Sequence, residues 1–316
     1  MPDYIQKNRK VYALGETVLD LVSESGFNMQ AVPGGSVLNA SVSLGRMNVD
    51  VYLLSEFGAD KAGNLIDGFL NNNGVHTDFC IRHPENKTSL ALAFLDSERN
   101  ASYSFYHDSP EQLKETNIPV FQSSDVLLYG SFYAVKPDRR NFMIKILQKA
   151  VEAKSVIYYD LNIRRAHSDN LESLIPSFLN NIALSTIVKG SDEDFLNLFG
   201  LSDPSAVYEK VSHYCKTLIV TSGSKPVQVF TPKYSRTYMV SEITPVSTIG
   251  AGDSFNAGFV YGLVTSGIDA KNITEMPVNV LDRIVASGLA FASETCLSAE
   301  NYINDKFATG FRKQYI

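Results

Sequence analysis

Residues 246–263 read VSTIGAGDSFNAGFVYGL, and the organisation of the whole chain follows from them. Gly250, Ala251 and Gly252 form a tight turn that runs into Asp253, and an apolar helical pattern begins at once. Two glycines let the backbone bend without a Cβ penalty and come close to a ligand. The N–H groups of a helix's first turn lack partners within the helix, and the positive end of the helix dipole lies behind them. Such a turn is a ready anion site, for a phosphate or a developing oxyanion. Asp253 then has two readings. It is a helix N-cap, a position Asp favours, or a carboxylate beside the anion site that takes a proton from an attacking hydroxyl. Phe255, Phe259 and Leu263 recur at four-residue spacing and predict a core-facing stripe. The small Ala257, Gly258 and Gly262 predict close packing against a neighbour, and Gly267 a C-terminal stop.

Working outward, the chain alternates strand and helix. Upstream, Val11–Leu14 reads as a strand ending at Gly15, and Glu16–Val32 carries Asp20 among apolar residues. Pro33-Gly34-Gly35-Ser36 turns into a helix with a Val37, Ala40, Leu44, Met47 stripe. On an adjacent face, Ser36, Asn39 and Ser43 are either polyol-binding groups behind paired glycines or ordinary capping and solvated residues. Val49–Ser55 is a strand and Asn64–Asn72 a helix. Thr88–Asp96 and Ala101–His107 alternate like a hairpin around Ser97–Asn100, and the aromatics Tyr103, Phe105 and Tyr106 suit a lid. Strands at 125–130, 155–159, 186–188 and 217–221 are separated by helices at 138–153, 171–180 and 205–214, and Lys189–Asp194 opens a short helix. A second hairpin spans Val227–Val240, and Pro277–Ser293 is the last long helix.

This rhythm predicts an α/β fold, a mostly parallel sheet with helices on both faces. We expect a polar tail at 1–10 and a single domain over 11–316, with lid strands from about 16–33 and 88–108. Ligands in such folds sit beyond the carboxyl ends of the strands. Asp160, Asn162 and Arg164, then Lys189 to Asp194, then Ser222 to Lys225 follow three strands and can share a crevice with Asp253. Arg164 offers a planar fork for phosphate oxygens or a surface salt bridge. Asp194 or Glu193 orients a hydrated Mg²⁺, or is simply the acidic first turn of a helix.

The 316 residues are 44% hydrophobic and 20% charged, enough apolar material for a large core. A net charge of −6 argues against nucleic-acid or anionic-membrane partners. Three scattered cysteines without metal spacing fit a reducing compartment. The opening MPDYIQKNRK lacks the apolar core of a secretory signal. We therefore expect a cytoplasmic protein.

Taken together, Gly15-Glu16…Asp20, Pro33-Gly34-Gly35…Asn39-Ala40, Gly58-Ala59-Asp60…Gly63, Asp160-Leu161-Asn162…Arg164 and Thr248-Ile249-Gly250-Ala251-Gly252-Asp253 occur in the order seen in the ribokinase-like sugar kinases. The chain resembles that PfkB family over about residues 11–295, and bacterial fructokinases within it. The resemblance implies a Rossmann-like domain with a small β-sheet lid, and ATP-dependent, Mg²⁺-supported phosphorylation of a sugar hydroxyl. It implies Asp253 as base, Gly250, Ala251 and Gly252 as the anion hole, and Arg164 on the phosphate. Asp20, Gly34, Gly35 and Asn39 are similar to sugar contacts, with Tyr103 and Phe105 on a lid strand that closes over the sugar. Asn162, Lys189, Ser191, Thr221, Gly223 and Ser224 lie on the nucleotide side, with Asp194 near the metal through water.

The chain also departs from the family. Ser247 stands where an Asp often helps hold a monovalent cation, which puts that cation in question. Pro226 replaces a usual glycine after Lys225, and Cys296–Glu300 lacks the usual Gly-Ala. A kinase for a nucleoside or another sugar, and a sugar-binding regulator without turnover, are the competing readings. Relatives commonly form a homodimer through the lid sheets, and an exposed sheet edge would permit one.

Overall fold

The computed structural model describes residues 9–25, 28–95, 101–108, 118–163 and 171–314. Strand β1, Val11–Leu14, is buried along its whole length, as a strand covered on both faces of a parallel sheet must be. Its side chains alternate between two cores. Val11 and Ala13 enter one, Tyr12 and Leu14 the other. The same alternation runs through β10 (Val126–Gly130) and β11 (Val156–Asp160), both buried throughout.

Nine strands form the large sheet, in the order β15 (Ser235–Tyr238), β14 (Lys225–Phe230), β13 (Leu218–Ser222), β12 (Ile187–Ser191), β11, β10, β1, β4 (Val51–Leu54) and β6 (Val75–His76). From β6 to β13 every pairing is parallel. At one side β14 and β15 pair antiparallel, the hairpin expected near 227–240. Helices α1 (Ser36–Arg46), α2 (Lys61–Asn72), α7 (Ala251–Thr265), α8 (Val278–Cys296) and α9 (Asp305–Gln314) pack into one core. Helices α3 (Arg140–Glu152), α4 (Leu171–Leu184), α5 (Asp192–Phe199) and α6 (Pro204–Val211) pack into the other. A separate four-stranded sheet has the order β3 (Asn28–Gly34), β2 (Val18–Ser25), β8 (Leu90–Leu95), β9 (Ala101–Tyr106). Its two central strands are parallel and β8–β9 is antiparallel. The connection expected at Ser97–Asn100 lies outside the described residues.

Helix α7 is buried more completely than a stripe predicts, with every residue from Ser254 to Val264 inside. It lies against α8 at near-backbone contact. A Cβ on Gly258 would stand 2.4 Å from the Ser287 carbonyl oxygen, and one on Gly262 2.8 Å from Ile284 Cα. Gly267, with φ +65°, ends the segment as expected.

Other expectations shift. Helix α2 begins at Lys61, three residues before the predicted start, because Asp60 caps it by accepting from Gly63 N at 2.9 Å. The predicted helix at 205–214 runs instead from Pro204 to Val211. Lys189, Gly190 and Ser191 belong to β12 rather than to the helix after it. Two short strands, β5 (Glu56–Gly58) and β7 (Ile81–His83), form a small parallel sheet that the sequence did not signal. Beyond the long helix α8 a further, shorter helix α9 follows, and its Phe311 packs against Phe291 and Tyr261. No helix among the described residues is long and apolar enough to cross a membrane.

The polar tail also needs correcting, because Arg9 is a core residue, 2% exposed. Its guanidinium donates to the carbonyls of Leu263 at 3.0 Å and Ile268 at 2.5 Å. A cation is thereby placed at the negative end of α7. Burial pulls Arg9 down to about 10, still charged at neutral pH. Arg9→Met strands two buried carbonyls and is expected to cost about 3 kcal/mol, read as a lower urea midpoint. A midpoint within error of the wild type would make the contacts incidental.

Candidate active site

The order of the large sheet places a site before any side chain is considered. The chain runs from β1 outward to β4 and β6, then returns to the other side of β1 as β10. The crevice between the carboxyl ends of β1 and β10 is therefore a topological switch point, where α/β sheets bind ligands. A cavity of about 340 Å³ opens there, with Glu16 from beyond β1 and Ser131 from beyond β10 in its wall.

Helix α7 starts at this cavity. Its N-cap is Gly250, in the left-handed region at φ +79°, so Asp253 is the third helical residue and not the cap. Only glycine fits the cap, since a Cβ would stand 2.2 Å from the Asn301 carbonyl oxygen. The Ala251 N–H bonds back to the Thr248 carbonyl at 3.3 Å. Gly252 and Asp253 follow in the first helical turn, at the positive end of the helix dipole. Gly252 itself is exposed.

Asp253 lines the cavity and accepts from Asn39 Nδ2 at 2.9 Å. Asn39, 5% exposed on α1, keeps its Oδ1 buried without a partner. Asn39 also lines the cavity, so the residue that holds Asp253 belongs to the same wall. Gly35 and Asp20 line the same cavity, and the paired glycines explain how. Gly35 has φ +127°, and a Cβ there would meet the Glu16 carbonyl at 2.2 Å. A Cβ on Gly34 would meet the Asp20 carboxylate at 2.1 Å. Phe105 reaches the cavity from β9 and stacks on His107, ring centroids 5.8 Å apart. Tyr103 pairs with Ala93 through the backbone of β9.

Behind α7's first turn lies a buried charged network. Lys189 Nζ donates to Asp160 Oδ1 at 3.0 Å, and Asn256 Nδ2 to Asp160 Oδ2 at 2.6 Å. Lys189 Nζ is 3.5 Å from where a Gly252 Cβ would be. Burial works against its charge, but the carboxylates of Asp160, Asp194 and Asp253 outweigh it and hold the ammonium above its ordinary range. A positive charge thus sits beside the first turn of α7.

The other nucleotide-side residues are placed less tellingly. Ser191 and Asp194 form a reciprocal capping box on α5. Asp194, 4% exposed, spends one oxygen on Ser191 N and the other on Ile163 N. That is the geometry of a capping carboxylate, each oxygen accepting one backbone N–H. No group of three or more His, Cys, Asp or Glu that could hold a metal occurs among the described residues. Asn162 has φ +40°, and Gly223 has φ +55° in the turn after β13. Thr221 donates weakly to the Gly190 carbonyl at 3.5 Å, and Ser224 is exposed. Ser247 Oγ accepts from Ile249 N at 3.2 Å, a local turn before the glycines. Arg164 lies outside the described residues.

Sequence reasoning gave no site role to several wall residues, among them Glu16, Lys136 and His107. Lys136 and Glu16 are ion-paired at 2.8 Å across 120 residues of chain, a contact no local pattern announces. Burial lowers the His107 imidazole and Lys136 lowers it further, against an opposing pull from Glu16, so the ring favours its neutral form.

Comparison with known proteins agrees with this geometry. Residues 8–303 match the model of the pfkB family carbohydrate kinases. The chain belongs to that family. It is thus a carbohydrate kinase, a phosphotransferase. A fructokinase of Vibrio alginolyticus is 26% identical over 254 residues, covering 79% of this chain and 83% of the relative. A probable fructokinase-4 of Arabidopsis thaliana is 27% identical, covering 84% of each. Two solved PfkB-like structures share the fold. One is a Vibrio cholerae fructokinase bound to fructose, ADP and calcium, with TM-score 0.84, 22% identity and coverage of 98% of this chain and 99% of that one. The other is Salmonella enterica aminoimidazole riboside kinase, with TM-score 0.81, 20% identity and coverage of 95% and 99%.

Proposed function

We propose that this PfkB kinase transfers the γ-phosphoryl group of ATP to a hydroxyl of a fructose-like sugar, in the cytoplasm. The observation that carries the reading is Asp253, held by Asn39 in a cavity at the switch point, one residue from an exposed helix-start amide. Phosphoryl transfer needs alignment and charge neutralisation more than covalent help. The Gly252 and Asp253 amides, with Lys189 beneath them, offer a fixed positive field where charge develops. ATP would bring its phosphates to those amides and supply the transferred group. Asp253 orients the acceptor hydroxyl and takes its proton. Asn39 fixes that carboxylate, while Asp20 reads a hydroxyl of the sugar.

The chain's described residues offer no cage for Mg²⁺, so a divalent ion in this reading travels with the nucleotide and no step here runs through Asp194. The four-stranded sheet acts as a lid within a single domain, with Phe105 excluding water as it closes. The relatives named fructokinase support the fructose-like acceptor. The riboside kinase of similar fold makes nucleosides the necessary comparison.

ADP release over a panel of sugars and nucleosides tests the reading. Turnover with fructose-like sugars is expected, and sugar binding without ADP would make the protein a sensor instead. A second expectation concerns Gly34. Gly34→Ala displaces only the far end of Asp20, so the fold survives while the sugar loses one hydrogen bond. KM for the sugar should rise about tenfold with kcat nearly unchanged. An unaltered KM would remove Asp20 from the sugar site.

A further inference from the structure

We infer that the Glu16–Lys136 ion pair selects the acceptor, by reading one of its hydroxyls and by keeping the cavity hostile to anionic sugars; the inference rests on assigning the cavity to the sugar, as proposed above. Lys136 Nζ donates to Glu16 Oε1 at 2.8 Å, and both side chains line the cavity that holds Asp253. An ammonium has three donors and a carboxylate about four acceptor sites, and their mutual bond uses one of each. A donor and an acceptor therefore remain side by side. That pattern matches a single hydroxyl, which can accept from Lys136 and donate to Glu16 together. A polar site built for a hydroxyl rejects the analogue lacking it far more strongly than an apolar pocket would.

The pair is held in place from both sides. Lys136 ends the 3₁₀ turn Phe132–Val135, with its N–H bonded to the Phe132 carbonyl at 3.1 Å. Tyr133 and Arg139, before and after it, both bond to Glu56 Oε1, at 3.0 and 2.5 Å. The Glu16 backbone lies against Gly35, where no Cβ fits. Little ordering is left for the ligand to impose, which is the condition for selectivity rather than mere stickiness.

Charge decides the class of acceptor. Glu16, Asp20 and Asp253 bring three carboxylates to the cavity and Lys136 one ammonium, while His107 favours its neutral form. Because Glu16 cancels Lys136, the wall left to the ligand is negative, and a neutral polyol is accepted over a sugar acid.

The test uses full-length Lys136→Met, Glu16→Gln and the double variant. Dissociation constants are measured by calorimetry without nucleotide, and kcat/KM by ADP release, for fructose, each of its monodeoxy analogues and gluconate. In the wild type one monodeoxy analogue should bind roughly ten- to a hundredfold more weakly than fructose, the range for a hydrogen bond to a charged group. Each variant should shrink that ratio below about threefold. Glu16→Gln, which frees the ammonium, should also improve gluconate binding relative to fructose. Ratios that stay at wild-type values while every affinity falls together would make the pair a structural clasp and overturn the inference. Sugar binding without ADP release would sink the kinase reading and leave the ratios readable. No sugar binding at all would sink both.

Discussion

Asp253→Asn is expected to lower kcat by about a hundredfold or more, with KM for the sugar changed only a few-fold, as befits loss of an acid–base group. The substitution is chosen because the amide is isosteric and its carbonyl can still accept from Asn39 Nδ2, now 2.9 Å from the carboxylate. The hydrogen bond that orients the side chain survives, as does the helix, since Asp253 is its third residue and not its cap. The capacity to receive a proton is lost, and with it one of the three carboxylates that hold the Lys189 ammonium charged. The thermal midpoint should therefore stay near the wild type, and fructose should still bind in calorimetry. Near-normal turnover would take Asp253 out of the chemistry and leave it as a ligand contact.

How much of this was legible before the structure depends on whether the decisive partner is near in sequence. Strand β1, the close packing of Gly258 and Gly262, and the stop at Gly267 follow from local pattern, and each stands where expected. The two readings of Asp253 could not be separated locally. Gly250, three residues earlier, carries the cap in a left-handed conformation, and only the backbone angle reveals that. Ser191 and Asp194 went the other way. Their Ser-x-x-Asp spacing is a capping signature, and the capping geometry is what the chain adopts. Arg9 was hidden inside a polar run because its acceptors, Leu263 and Ile268, lie more than 250 residues away. Glu16 and Lys136 were unreadable as a pair for the same reason, since topology brings them together at the β1–β10 switch.

The glycine turn itself gives the sharpest contrast. Gly250→Ala is expected to lose both stability and activity, and Gly252→Ala to lose activity alone. At Gly250 a side chain meets two penalties. The left-handed φ of +79° costs about 1–2 kcal/mol for any residue with a Cβ. The new atom would also stand 2.2 to 2.8 Å from three backbone atoms of Asn301, which cannot swing aside as a side chain would. The turn must open, at a total cost of about 3–5 kcal/mol. A displacement of α7's first turn by about 1 Å suffices to cost a hundredfold in rate. Gly252 differs on both counts. It lies within the helix, where alanine is favoured over glycine by roughly 0.5–1 kcal/mol, and its nearest neighbour is Lys189 Nζ at 3.5 Å, an ordinary contact. Gly252→Ala should therefore unfold at the same urea concentration or slightly higher. Its methyl group would nonetheless stand beside Lys189 Nζ at the helix start where the phosphoryl group is proposed to bind, and kcat/KM should fall at least tenfold. Wild-type kcat/KM in that variant would mean that nothing approaches this amide closely, and the anion site would have to be sought elsewhere along the carboxyl edge of the sheet.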